Sequence, residues 1–183
     1  MTTPLQVTVA RLRAPVSGAD HVRGPVDAPV TLVEYADFQC VHCGAAYRNL
    51  REVQRQRAEL VRLVFRHFPI ANVHPYAESA AQIAEAAGRR GRFWEMHDWL
   101  FEHQDQLDPV HLSLGVEQLG VSADDVGGEV EGQVHADRVR QDFVGGILSG
   151  VTGVPALFVN DDCHEGGHSV ADLLAAVDLV ANA

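Results

Sequence analysis

Val30-Thr31-Leu32-Val33-Glu34-Tyr35-Ala36-Asp37-Phe38-Gln39-Cys40-Val41-His42-Cys43 is the stretch that decides the fold. Val30 to Tyr35 alternates Val, Leu and Val against Thr and Glu, the pattern of a central strand. Cys40 and Cys43 stand at C-x-x-C spacing, where a helix-like run containing Tyr47, Leu50 and Val53 begins. A pair of thiols at a strand-to-helix junction reads as a redox dithiol. A helix N-terminus offers unpaired N–H groups and the positive end of a dipole, which favour a thiolate at Cys40. The thiolate is the reactive form. Cys43, one turn on, is placed to attack a mixed disulfide and release the substrate. His42 between them can donate a hydrogen bond or, when protonated, add a positive charge. The competing reading is half of a zinc site. Tetrahedral zinc needs four ligands, and the only other cysteine is Cys163, with His164 and His168 close by. A Cys40/Cys43/Cys163/His set is therefore the alternative.

The neighbours extend the pattern in both directions. His42 to Glu59 reads as an amphipathic helix with Arg48, Arg51, Arg55 and Arg57 towards water. Val61 to His67 reads as a second strand stopped by Pro69. Strand, helix and strand make a βαβ unit, right-handed with parallel strands. Upstream, Gln6 to Val9 suits a short edge strand, and the remaining Pro- and Gly-containing segment to residue 29 reads as loop. Downstream the chain turns helical. Tyr76, Ala80, Ile83, Ala84 and Ala87 share a face, as do Phe93, Met96, His97, Leu100 and Phe101. Shorter helices are expected at Pro109–Leu119 and Ala123–Glu131, the latter weakened by Gly127 and Gly128, and a last one from Asp137 to Ile147. Ala156 to Asn160 returns to strand, with a hairpin partner near Cys163–Glu165. Ser169-Val-Ala-Asp172 has capping-box spacing and opens a closing helix on Val170, Leu173, Leu174 and Val177.

The chain has 183 residues, 46% of them hydrophobic, so it can bury a core without disulfide staples. Its net charge of −11 argues against nucleic acid or an anionic membrane surface as the main partner. No run of 18 apolar residues occurs, so no membrane span is expected. The first residues carry no basic, apolar leader pattern, and the expectation is a cytoplasmic protein. His67, His97 and His103 read as packing or surface residues, and no metal or cofactor is expected.

Thr152-Gly153-Val154-Pro155 stands just before the late strand. Proline is tolerated at the first residue of a strand because no ladder donor is needed there. The bland reading is a turn. The sharper one is a cis Val154–Pro155 bond facing the dithiol, with the Val154 backbone free to pair with an extended substrate.

Taken together, Cys40-Val-His-Cys43, Glu34 six residues before it, and Gly153-Val-Pro155 before Ala156-Leu-Phe-Val-Asn resemble the DsbA-like thiol–disulfide oxidoreductases of the thioredoxin superfamily. Asp20-His-Val-Arg-Gly24, Val33-Glu-Tyr-Ala-Asp-Phe38, Phe65-Arg-His-Phe-Pro69 and Arg92-Phe-Trp-Glu-Met-His97 add to the resemblance, which runs from about residue 20 to the C-terminus. It implies an α/β, thioredoxin-like fold with an inserted helical subdomain. Residues 1–74 would carry the N-terminal extension and βαβ half, 75–145 the helices, and 146–183 the ββα half. It also implies a nucleophilic Cys40, a resolving Cys43, a cis-Pro155 and a buried acid, Glu34, that takes the Cys43 proton. Two features depart from the pattern: Val41, where Pro is common, and the third thiol, Cys163. The expected function is disulfide exchange with protein thiols and disulfides as substrates, through an unidentified redox partner. A peptide-binding or chaperone module, and a glutathione-dependent transferase or isomerase of the same fold, are the alternatives.

Overall fold

Five strands hydrogen-bond in the order β1–β3–β2–β4–β5 in the computed structural model, which describes residues 10–182. They are β1 (His21–Arg23), β2 (Val30–Ala36), β3 (Val61–His67), β4 (Ala156–Val159) and β5 (Asp162–Cys163). β2 and β3 run parallel, from Val30↔Val61 to Ala36↔His67. The other pairs are antiparallel. β2 lies in the middle and all seven of its residues are buried.

Helix α1 (Val41–Gln56) makes the crossover from β2 to β3. Five helices separate β3 from β4: α2 (Ala77–Gly88), α3 (Phe93–Glu102), α4 (Pro109–Gln118), α5 (Ala123–Glu131) and α6 (Ala136–Leu148). Helix α7 (Val170–Ala181) closes the chain, its N-terminus capped by the Ser169 hydroxyl, which accepts from the Asp172 N–H. The period-two alternation of β2 divides its side chains between two faces. Val30 and Leu32 pack with Leu50 and Val53 of α1 and with Leu173 and Val177 of α7. Val33 and Tyr35 pack on the opposite face with Phe68, Val151 and Phe158. A third cluster, built on α2 and α3, holds Ala36, Phe38, Cys40, Cys43, Tyr47 and Phe65.

The segment before β1 is tied down by a buried arginine. Arg66 bonds both oxygens of Asp20, at 2.8 and 3.2 Å, and also the carbonyls of Ala14 and Pro15 and the Tyr35 hydroxyl. Asp20 and Arg66 side chains are only 5% and 4% exposed. Burial works against this ion pair, and the fork of hydrogen bonds to the guanidinium offsets it.

Several sequence expectations shift. The segment before β2 is not all loop: His21–Arg23 pairs with Leu63–Phe65. The expected strand at Gln6–Val9 lies outside the described residues. Helix α1 stops at Gln56 rather than Glu59, where Arg57 leaves helical geometry and caps the carbonyl of Val53. Helix α5 forms despite Gly127 and Gly128, with Ser122 accepting from Asp125 N–H and Val126 buried. Packing of one apolar residue and a good cap outweigh the glycine cost here.

Candidate active site

Cys40 is the N-cap of α1, with extended backbone (φ −75°, ψ 119°). Its N–H donates to the Asp37 carbonyl at 3.1 Å, and its own carbonyl accepts from Gly44 N–H at 3.1 Å. As N-cap it stands at the start of a sixteen-residue helix whose first N–H groups have no intrahelical partner, and its side chain makes no capping hydrogen bond. Cys43 lies one turn inward and is 0% exposed, against 6% for Cys40. Burial pushes the Cys43 thiol well above its ordinary range, and the nearby Glu34 and Cys40 push the same way.

Glu34 falls between Leu32 and Ala36 on the face of β2 that α1 covers, so the strand delivers it beneath the helix start. It is 1% exposed, and its Oε1 has no hydrogen-bond partner among the described residues. Burial raises its pKa to about 8. A carboxyl that is neutral at pH 7 yet close to a thiol of raised pKa is an acid–base partner for that thiol.

The opposing wall comes from far along the chain. The Val154–Pro155 peptide is cis, and the Val154 carbonyl oxygen lies 3.8 Å from the Cys40 sulfur. Val154 and Pro155 are half-buried, whereas Thr152 and Gly153 before them are exposed. The β2–β4 register, Tyr35↔Ala156, sets this wall against the cysteine loop.

His42 and Val41 face outward, Val41 at 70% exposure. The His42 ring makes no hydrogen bond among the described residues, so the expected bond to the Cys40 sulfur is not formed. What it retains is an exposed imidazole in the first turn of α1.

Three polar residues that sequence reasoning did not single out hold the loop. Asp37, 1% exposed, accepts from Gln39 N–H at 2.7 Å, Ile70 N–H at 2.8 Å and His74 Nδ1 at 2.7 Å. Gln39 in turn accepts from Tyr76 N–H at 2.8 Å. Gln104, after α3, donates its amide to the carbonyls of both Phe38 and Cys40 at 2.8 Å. The Asp37 contact to Gln39 is an Asx-turn bond, a local signal readable in sequence. Gln104 reaches across 64 positions to Cys40 and leaves no such signal.

Cys163 is half-buried on β5, opposite Phe158, and packs with the cluster of Val33 and Tyr35 rather than with the dithiol. Burial raises its pKa, and Glu165 adds to this. His164 Nε2 donates to the Gly167 carbonyl at 3.0 Å. The zinc alternative that joined Cys163 to Cys40 and Cys43 is thus not assembled among the described residues.

A parallel βαβ unit, an antiparallel ββα unit, helices between them and a dithiol at the first helix define a thioredoxin-like fold with a DsbA-type insertion. A family model described as thioredoxin matches residues 16–179, and the chain belongs to that family. Among solved structures, oxidised BdbD from Bacillus subtilis superposes with a TM-score of 0.86 at 19% identity, covering 96% of this chain and 100% of that one. The alpha-DsbA1 of Wolbachia pipientis gives 0.81 at 19% identity, over 92% and 94% of the two chains. At these identities the likeness is one of fold. In sequence, the chain is 47% identical over 158 residues to Na(+)/H(+) antiporter NhaA 3 of Salinispora tropica, covering 86% of this chain and 24% of that protein. It is 35% identical over 182 residues to Na(+)/H(+) antiporter NhaA 1 of Mycolicibacterium vanbaalenii, covering 97% and 29%. The chain spans about a quarter of the length of the curated relatives it matches.

Proposed function

We propose that this chain is a thiol–disulfide oxidoreductase that exchanges disulfides with protein substrates through Cys40 and Cys43. The observation that carries the reading is the assembly at one point of an N-capping Cys40, a buried Cys43, a buried and unpartnered Glu34 carboxyl, and the Val154 backbone.

In the reducing direction, the Cys40 thiolate attacks one sulfur of a substrate disulfide. A Cys40–substrate disulfide forms and the substrate's other sulfur leaves as a thiolate. Cys43 then gives its proton to Glu34 in its ionised form, the minority form at pH 7 for a group whose pKa is about 8, and attacks the Cys40 sulfur. The substrate's second thiolate leaves, and the Cys40–Cys43 disulfide remains. Oxidation of a substrate dithiol is the same path reversed. An extended substrate segment would pair with the Val154 backbone beside the cysteines.

No helix among the described residues is long and apolar enough to cross a membrane, and ion transport, named in the far longer relatives, is not part of the proposal. The cytoplasmic setting expected from sequence belongs to it.

The test is the reduction potential of the Cys40–Cys43 pair, measured by titration against glutathione with thiol trapping and mass readout. A value of roughly −270 mV would agree with a cytosolic reductant, and one of roughly −120 to −180 mV with an oxidant or isomerase in an oxidising compartment. A pair that never closes to a disulfide would overturn the proposal.

A further inference from the structure

Away from the dithiol, β1, β3 and α2 bring His21, His67 and Glu85 to one point. His21 Nε2 lies 2.8 Å and His67 Nε2 2.9 Å from Glu85 Oε1. The candidate ligand atoms of all three lie within 4.8 Å of one another. We propose that these residues form a binding site for a divalent transition-metal ion, with two imidazole Nε2 atoms and the Glu85 Oε1 as protein ligands.

Three observations carry this. First, both imidazoles turn the same nitrogen to the same carboxylate oxygen, and Oε2 accepts no hydrogen bond among the described residues. A purely structural pairing could use both oxygens. Three candidate donor atoms held within 4.8 Å of one another are what a metal site starts from. Second, the rings are held in place before any ion arrives. His21 stacks on Phe93 at 3.3 Å between centroids and 4° between planes. His67 is wedged edge-on among Phe38, Phe65 and Phe93. Gly88 permits the close approach of His21, since a Cβ there would meet its Cε1 at 3.3 Å. Third, burial is graded. His67 is 1% exposed, Glu85 9% and His21 19%, so the His21 side is the one nearest solvent.

The chemistry of the set is suitable. Two histidines and a carboxylate are ligands for zinc, and imidazole also serves nickel, copper and iron. Zinc–donor distances of about 2.0–2.1 Å in a tetrahedron put donors about 3.3 Å apart. Uptake would therefore displace the two hydrogen-bond protons and open each pair by roughly half an ångström, a shift within reach of the Glu85 side chain. Nearby, Asp142 accepts from the His67 backbone N–H at 3.1 Å and pairs with Arg138. A bound ion would cross-link the edge strand, the parallel pair and the first inserted helix.

The test uses the chain with Cys40, Cys43 and Cys163 all replaced by Ser, so that no thiolate competes. Chelator-treated protein is titrated with Zn²⁺ by calorimetry, and bound zinc is counted after gel filtration. One equivalent with a Kd of about 10 µM or tighter is expected, with a rise in Tm. Glu85→Gln, which keeps size and hydrogen bonding, should weaken binding at least about tenfold and abolish the Tm rise. His21→Ala, at a partly exposed position, should do the same and decides the matter if Glu85→Gln fails to fold. No saturable uptake by the cysteine-free protein, or unchanged affinity in His21→Ala, would overturn the site. Neither result bears on the redox proposal.

Discussion

The Cys40 thiol donates to the Val154 carbonyl oxygen across 3.8 Å, a weak sulfur hydrogen bond that joins the cysteine loop to a segment beyond five helices. A substrate disulfide bound at Cys40 is therefore flanked by backbone that can fix its orientation.

The two thiols should behave unequally. Cys43→Ser leaves the outer sulfur and removes the resolving one, so a peptide disulfide should accumulate as a stoichiometric adduct on Cys40. With Cys163 also replaced by Ser, Cys40→Ser should form none, because the one remaining thiol, Cys43, is wholly buried. Intact-mass spectrometry reads both, and an adduct on Cys43 in the Cys40→Ser protein would reverse the assignment.

Glu34 should cost stability as pH rises. Its folded-state pKa of about 8 lies above the ordinary 4.5, so the native chain holds a proton that the unfolded chain releases. Stability is then undiminished below the unfolded value, falls as pH rises from 4.5 to about 8, and is level above that. Glu34→Gln removes the penalty. Its gain should be near zero at low pH and about 2–4 kcal/mol at pH 9 by urea denaturation, while resolution of mixed disulfides slows. A gain independent of pH would mean the carboxyl is not the source.

Gln104 should act on the dithiol without touching it. Gln104→Ala removes the donor to the Phe38 carbonyl and one of two donors to the Cys40 carbonyl, and should cost about 1–3 kcal/mol, with a changed equilibrium between dithiol and disulfide. A Cβ on Gly44 would collide with the Gln104 amide oxygen, and that amide is pinned by its two bonds. Gly44→Ala should thus mimic Gln104→Ala, and the double variant should fall short of the sum. Strict additivity would show that the two do not share a mechanism.

Asp37→Ala should be among the more damaging changes around the loop. It removes the acceptor of two backbone N–H groups and of His74, leaving buried donors unpaired at about 3 kcal/mol or more. Asp37→Asn keeps one oxygen and should recover part of that loss in thermal denaturation. Equal loss in both would mean the charge, rather than the acceptor count, matters.

What the sequence made legible is what local pattern encodes. The apolar pattern of Val30–Tyr35 marked β2, and the C-x-x-C spacing placed Cys40 and Cys43 one turn apart, whereas the face Glu34 shares with Leu32 was not read from it. The Ser169 cap and the apolar face of Leu173 and Val177 announced α7. The edge strand His21–Arg23 was read as loop because three residues carry no periodicity, and its pairing is supplied by β3. The Asp37 bonds to Ile70 and His74 and the Gln104 clamp join segments dozens of residues apart, which no short window contains. The histidines show the same divide. His67 was read as packing, and the meeting of His21, His67 and Glu85 exists only once β1, β3 and α2 are assembled.

The five inserted helices leave the sheet at the end of β3, where His67 stands beside Ala36, and return at the start of β4, where Ala156 stands beside Tyr35. Exit and re-entry are at the same end of β2, the end that carries the dithiol. The helical block is in this sense a parenthesis: β2 against β4 is held by sheet register, and the block reaches back to the cysteine loop through a few contacts such as the Gln104 amide. Its outer surface can therefore vary while the two cysteines stay where the strands and the Gln104 amide put them.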